Sequence, residues 1–168
     1  MNETEKKIDK LYDQMEIGFT QIALELAQEL NELGIEEGTF CLSTFYHYGH
    51  IVEQNYNKEF KLLKKAATHG SKRAKFNIAS SYLNGLGVKE NKRKAHKIMK
   101  KLADDDYEPA IMFIMNRLIA SGQITMDDLD KDGVPFVDVD IPNDVAKKMG
   151  LDEIFKNTNQ VVIPVSIK

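Results

Sequence analysis

The apolar positions of this chain follow two different periods, and the change falls near residue 130. Before it, apolar residues return every three or four positions, as on one face of a helix. Ile8, Tyr12, Met15, Phe19, Ile22, Leu26, Leu30 and Leu33 make one such stripe, which ends at Gly34. It predicts a helix over residues 3–33, with Gly18 as the place where it divides. Residues 38–48 and 74–84 predict two further helices. Asn55 and Asn91 then stand as N-caps of two more, whose inward stripes are Phe60, Leu62, Leu63, Ala66 and Ala67, and Ala95, Ile98, Met99, Leu102 and Ala103. Residues 108–121 predict another helix. Later, VPFVDVDIP and VVIPVSIK read as strands, with a short helix capped by Asn143 between them.

The helical part repeats itself at an interval of 36 residues. Laid over one another, residues 38–73 and 74–109 align Phe40 with Phe76, Tyr46 with Tyr82, Gly49 with Gly85 and Asn55 with Asn91. The same interval brings Gly34 onto Gly70 and Ala74 onto Ala110. A period of that size marks units that bury a core only by stacking on their neighbours. The predicted class is mainly α: an α-solenoid of stacked antiparallel helix pairs, with a short C-terminal strand–helix–strand segment. Residues 1–130 form the solenoid: a capping helix and half repeat over 1–37, full repeats 38–73 and 74–109, and a partial repeat over 110–130. Residues 131–168 form the small mixed segment.

Ala74, Ile78–Ala79, Tyr82, Gly85-Leu86-Gly87-Val88, Lys94–Ala95 and Leu102–Ala103 resemble the Sel-one-like repeat, a relative of the tetratricopeptide repeat. The unit 38–73 departs from that pattern: Ile51 replaces the second loop glycine and Glu59 the Ala of Lys-Ala. The resemblance implies an adaptor for protein partners and no catalytic residues. By tetratricopeptide geometry it also implies a groove lined by the first helices. The groove would carry Phe40, Thr44, His47 and Tyr48, then Arg73, Phe76, Ser80, Leu83 and Asn84, and finally Met112 and Asn116. Aromatic anchors with directional polar groups suit partner binding. An inhibitor such as a toxin-immunity protein is a specific form of this expectation. The stretch IPNDVAKKMGL resembles the strand–helix segment of AbrB-like DNA binders, without their basic strand residues.

Charge supplies the rival reading. The 168 residues carry a net charge of −3, yet residues 58–101 hold 14 Lys or Arg against Glu59 and Glu90 alone. Such a basic segment between acidic ends suits a polyanion such as nucleic acid, or equally an acidic protein or a solvated face. Several of these lysines sit where the repeat commonly has Lys, which favours the bland reading. No apolar run approaches the roughly 20 residues that span a bilayer, and MNETEKKIDK has no signal-peptide h-region. With Cys41 as the sole cysteine, a reducing cytoplasmic setting is expected. The stripe over residues 3–33 suits a cap on the first repeat or a coiled-coil dimer, leaving monomer and homodimer open.

The remaining residues assemble no chemistry. His47 and His50 are spaced for a metal, but no matching acidic or thiol pair joins them, so no metal or cofactor is expected. Cys41 reads as a small core residue rather than a nucleophile. His96, flanked by lysines, reads as exposed. DDLDKDG lacks the Glu that closes a calcium loop, and NGLGV lacks the Gly-Lys-Ser/Thr of a phosphate loop. The expectation is a binding protein, not an enzyme.

Overall fold

The structure, a computed structural model, describes residues 2–120, 122, 139–140 and 160–161. These form α1 (Glu3–Ile17), α2 (Gln21–Glu32), α3 (Glu36–Tyr48), α4 (Tyr56–Thr68), α5 (Lys72–Asn84), α6 (Lys92–Asp104) and α7 (Glu108–Ala120). Two two-residue strands follow, β1 (Val139–Asp140) and β2 (Gln160–Val161), paired antiparallel with Val139 opposite Val161. Contacts divide the chain into two compact units, Met1–Glu90 and Asn91–Lys168. In the first, each helix from α1 to α5 packs on the next; in the second, α6 packs on α7. Four strand residues do not amount to the predicted C-terminal strand–helix–strand segment. The helix expected near Asn143 and the stretch resembling AbrB-like proteins lie outside the described residues.

The 36-residue interval is a structural period as well as a sequence one. Helices α3, α5 and α7 start 36 residues apart, at Glu36, Lys72 and Glu108. Asn55 and Asn91 adopt the same extended conformation, and each accepts a hydrogen bond from the backbone N–H three residues on. That satisfies one of the donors a helix start leaves open. The turns into α3, α5 and α7 are also alike. The N–H groups of Ile35, Ser71 and Tyr107 donate to the carbonyls of Leu30, Ala66 and Leu102 across left-handed Gly34, Gly70 and Asp106. This is the Schellman closure. Asp106 is the third member of that series; Asp tolerates the left-handed region better than most residues.

The helix predicted over residues 3–33 is two helices. Gly18 closes α1 at φ 142°, and Thr20 caps α2 by accepting from the Ala23 N–H. Of the predicted stripe, Leu26 and Leu30 are in the core and Ile8, Tyr12, Met15 and Phe19 pack against it. Ile22 and Leu33 are 48% and 61% exposed, whereas Leu11, Ala23, Leu24, Leu26, Ala27 and Leu30 are buried. The core of this unit joins them to Cys41, Leu42 and Phe45, with Phe19 set edge-on to Phe45 at 5.1 Å. A second correction concerns His96, which is 1% exposed and not on a solvent face. It shares the buried side of α6 with Ala95, Met99 and Leu102, its ring 6.4 Å from that of Phe113 on α7. The adjoining lysines mask that phase in the sequence.

Two backbone positions carry stability predictions. Gly38 lies buried in the first turn of α3, where a Cβ would overlap the Leu30 side chain and stand 2.9 Å from the Asn31 nitrogen. Gly38→Ala should therefore destabilise by about 2 kcal/mol, in spite of alanine's better helix propensity, because overpacking outweighs it. Ile51 takes φ 67° where the corresponding Gly87 takes 64°. A β-branched residue is strained there, so Ile51→Gly should stabilise by about 1 kcal/mol after glycine's entropy cost. Urea unfolding of both variants measures the two signs.

Candidate functional site

One of the repeat's departures in unit 38–73, Glu59, lines a pocket. It has a volume of about 210 Å³ and is lined from α3 by Thr44, His47 and Tyr48 and from α4 by Glu59. Asn77, Ser80 and Ser81 of α5 and Leu86 complete it. His47 Nδ1 lies 2.9 Å from Glu59 Oε1. Glu59 is 5% exposed, and its Oε2 has no hydrogen-bond partner among the described residues. The period explains why the pair is peculiar to this unit. The residues 36 positions further on are Leu83 and Ala95, so a Leu/Ala combination in one repeat is a His/Glu combination in the other.

Helix ends position the pair. His47 occupies the last turn of α3, where the carbonyl end of the helix suits a cation, and Glu59 the first turn of α4, where the amide end suits an anion. Gly49 ends α3 in the left-handed conformation, and Gln54 Nε2 donates to the His47 carbonyl at 2.7 Å. Burial pushes the Glu59 carboxyl above its usual range; the neighbouring His47 acts in the opposite direction. Two of the pocket hydroxyls are already engaged as donors: Thr44 Oγ1 donates to the Cys41 carbonyl at 2.7 Å and Ser81 Oγ to the Asn77 carbonyl at 3.0 Å. An aromatic cluster adjoins the pocket. Tyr48, 57% exposed, has its ring 4.7 Å from that of His47 and 5.3 Å from that of Phe19, which lies tilted 4.8 Å from His50.

Of the groove residues expected from the sequence, Thr44, His47, Tyr48 and Ser80 meet at this pocket. Phe40 and Arg73 meet elsewhere. The Arg73 guanidinium lies 4.7 Å over the Phe40 ring and donates to the Tyr12 hydroxyl at 2.6 Å. Asn84 donates back to the Ser80 carbonyl at 2.9 Å. Phe76 and Leu83 are half-buried on α5, and Met112 and Asn116 are exposed one turn apart on α7, in the second unit. Sequence reasoning missed Glu59, Asn77, Ser81 and Leu86. For Glu59 the signal was available, since it breaks the Lys-Ala position of the repeat. Among the described residues no three His, Cys, Asp or Glu side chains gather to hold a metal. Cys41 is buried, and burial pushes its thiol up to about 11, which suppresses the thiolate at neutral pH.

The architecture is that of an α-helical repeat protein, built from helices recurring at one fixed interval. Residues 30–71 and 72–107 match the Sel1 repeat model. Similar solved structures agree. A Sel1 repeat protein from Oxalobacter formigenes superposes with a TM-score of 0.59 at 25% identity, over 68% of this chain and 46% of its own. A protective antigen of uropathogenic Escherichia coli strains, displaying an SLR fold, gives 0.61 at 15% identity, over 99% of this chain and 35% of its own. The chain thus spans less than half the length of either. No curated protein matches it. Among the described residues, no helix is long and apolar enough to cross a membrane.

The Glu59 environment fixes the sign of a pH effect. A carboxyl whose folded pKa is raised binds more protons folded than unfolded, so stability falls as pH rises through the folded value. Relative to Glu59→Gln, the protein should gain stability as pH drops from neutral toward the ordinary carboxylate range near 4.3. Urea midpoints of both proteins at several pH values should converge or cross as pH falls. A constant difference would contradict the raised pKa.

Proposed function

We propose that this protein is an interaction module that holds a protein partner against the face formed by α3 and α5. The observation that carries the reading is the pocket between these helices and α4, with polar side chains inside and Tyr48 exposed at its edge. An exposed aromatic beside a recessed polar pocket supplies both contact area and direction, the combination that concentrates binding energy at interfaces. Sel1 repeats generally mediate contacts between proteins, and the fold typically serves as a non-enzymatic scaffold. An adaptor or an inhibitor, an immunity protein among them, is the corresponding role, in a cytoplasmic setting.

The nucleic-acid reading of residues 58–101 has less support. Several of its cations are engaged within the chain: Lys58 lies 5.0 Å over Tyr46 and Lys64 5.7 Å over Phe60. Lys65 Nζ donates to the Asn31 carbonyl at 2.8 Å.

Tyr48→Ala combined with Asn84→Ala should abolish capture of a protein partner while leaving the helical circular dichroism unchanged. Lys97→Glu with Lys100→Glu should alter capture by no more than a few fold, since exposed charges act mainly on rate and salt dependence. The measurement is a pull-down from nuclease-treated lysate at low and high salt, followed by affinity with the captured protein. Loss of binding in the lysine reversal alone, with a steep fall in affinity as salt rises, would replace this reading by the polyanion one.

A further inference from the structure

We infer that the pocket beside Glu59 is a receptor for one guanidinium group, supplied by an arginine side chain of the partner. Its size comes first. At about 210 Å³ it falls below the roughly 300–1,000 Å³ of pockets that enclose whole small molecules, and suits a single side chain. The chemistry of the wall then selects the guest. Glu59 has one carboxylate oxygen against His47 and the other without a partner among the described residues. A buried carboxylate oxygen left so is costly, and a donor that reaches it recovers that cost.

The neighbouring groups also offer acceptors. The hydroxyl protons of Thr44 and Ser81 are directed to carbonyls of their own helices, so these oxygens have lone pairs to offer a guest. Asn77 and Ser80 can donate as well as accept, but the carboxylate beside them is that of Glu59, and it disfavours an anion or a carboxylate ligand. Among donor-rich groups, the aromatic edge separates guanidinium from ammonium. Tyr48 and His47 present two rings at 80° to each other, 4.7 Å between centroids. A planar cation can lie on such a face while its N–H fork reaches the carboxylate; a strongly hydrated ammonium gains less there. The second repeat has Leu83 and Ala95 at the positions of His47 and Glu59, so the His/Glu pair belongs to the first repeat alone.

That the guest is a partner's side chain rests on the interaction reading above; the chemistry of the pocket does not. The test uses the full chain and three small probes: N-acetyl-arginine methylamide, its citrulline counterpart, which is neutral and nearly isosteric, and its lysine counterpart. In amide NMR titrations the arginine probe should give saturable shifts at Thr44, Asn77 and Ser80. Citrulline should bind at least about 10-fold more weakly, about 1.4 kcal/mol, and lysine measurably more weakly. Glu59→Gln should weaken arginine by a similar factor, its fold checked by the same spectra. Glu59→Ala, which installs the residue found at Ala95, serves if the Gln variant fails to fold. Absence of saturable shifts, equal binding of citrulline or of lysine, or indifference to both substitutions would each overturn the assignment. Partner capture that survives while arginine binding fails removes the pocket and keeps the interaction module. Arginine binding without any captured partner does the reverse.

Discussion

The structure depends on one recurring backbone constraint, the reversal that follows α2, α4 and α6. In each, a residue held in the left-handed region lets the next N–H reach back to a carbonyl five positions earlier. This closure absorbs carbonyls that a helix end otherwise leaves open and fixes where the following helix starts. Because Gly34, Gly70 and Asp106 are 36 residues apart, so are the starts of α3, α5 and α7. Positions 36 residues apart therefore stand at the same place in their helices. The buried Ala66 and Leu102 of successive second helices, and Ala74 and Ala110 of successive first helices, follow from that registration.

A constraint of this kind makes departures from the repeat informative. The helices of the two repeats have the same bounds 36 residues apart, so a departure in side chain stands out against them. Ile51 takes the left-handed conformation that glycine holds at Gly87, and the strain is carried locally. Glu59 takes the site of buried Ala95, and there the compensation is chemical: His47 stands opposite, in place of Leu83. A buried acid is by itself a poor means of stabilising a helix pair. Its presence in only one repeat fits a binding role better than a structural one. The pocket and Tyr48 lie together on the same helices.

The period of 36, the caps at Asn55 and Asn91, the buried stripes of α4 and α6 and the extent of α5 were all readable from the chain. Each depends on residues within one turn or on a match at a fixed distance, and local hydrogen bonding or simple self-comparison exposes it. Thr44, His47, Tyr48 and Ser80, which the tetratricopeptide resemblance put on a groove face, line one pocket. Other features needed the folded chain. Whether Gly18 bends or ends a helix depends on α1 finding a seat against α2 and α3, and Ile22 and Leu33 of the predicted stripe are left exposed. The burial of His96 is set by α7, since neighbouring lysines make its own helix look polar throughout. The pairing of His47 with Glu59 spans a loop, and sequence could mark Glu59 as irregular without naming its partner. Periodicity and capping are written in neighbouring residues; the contacts that give a buried polar group its meaning come from other helices, and only packing decides them.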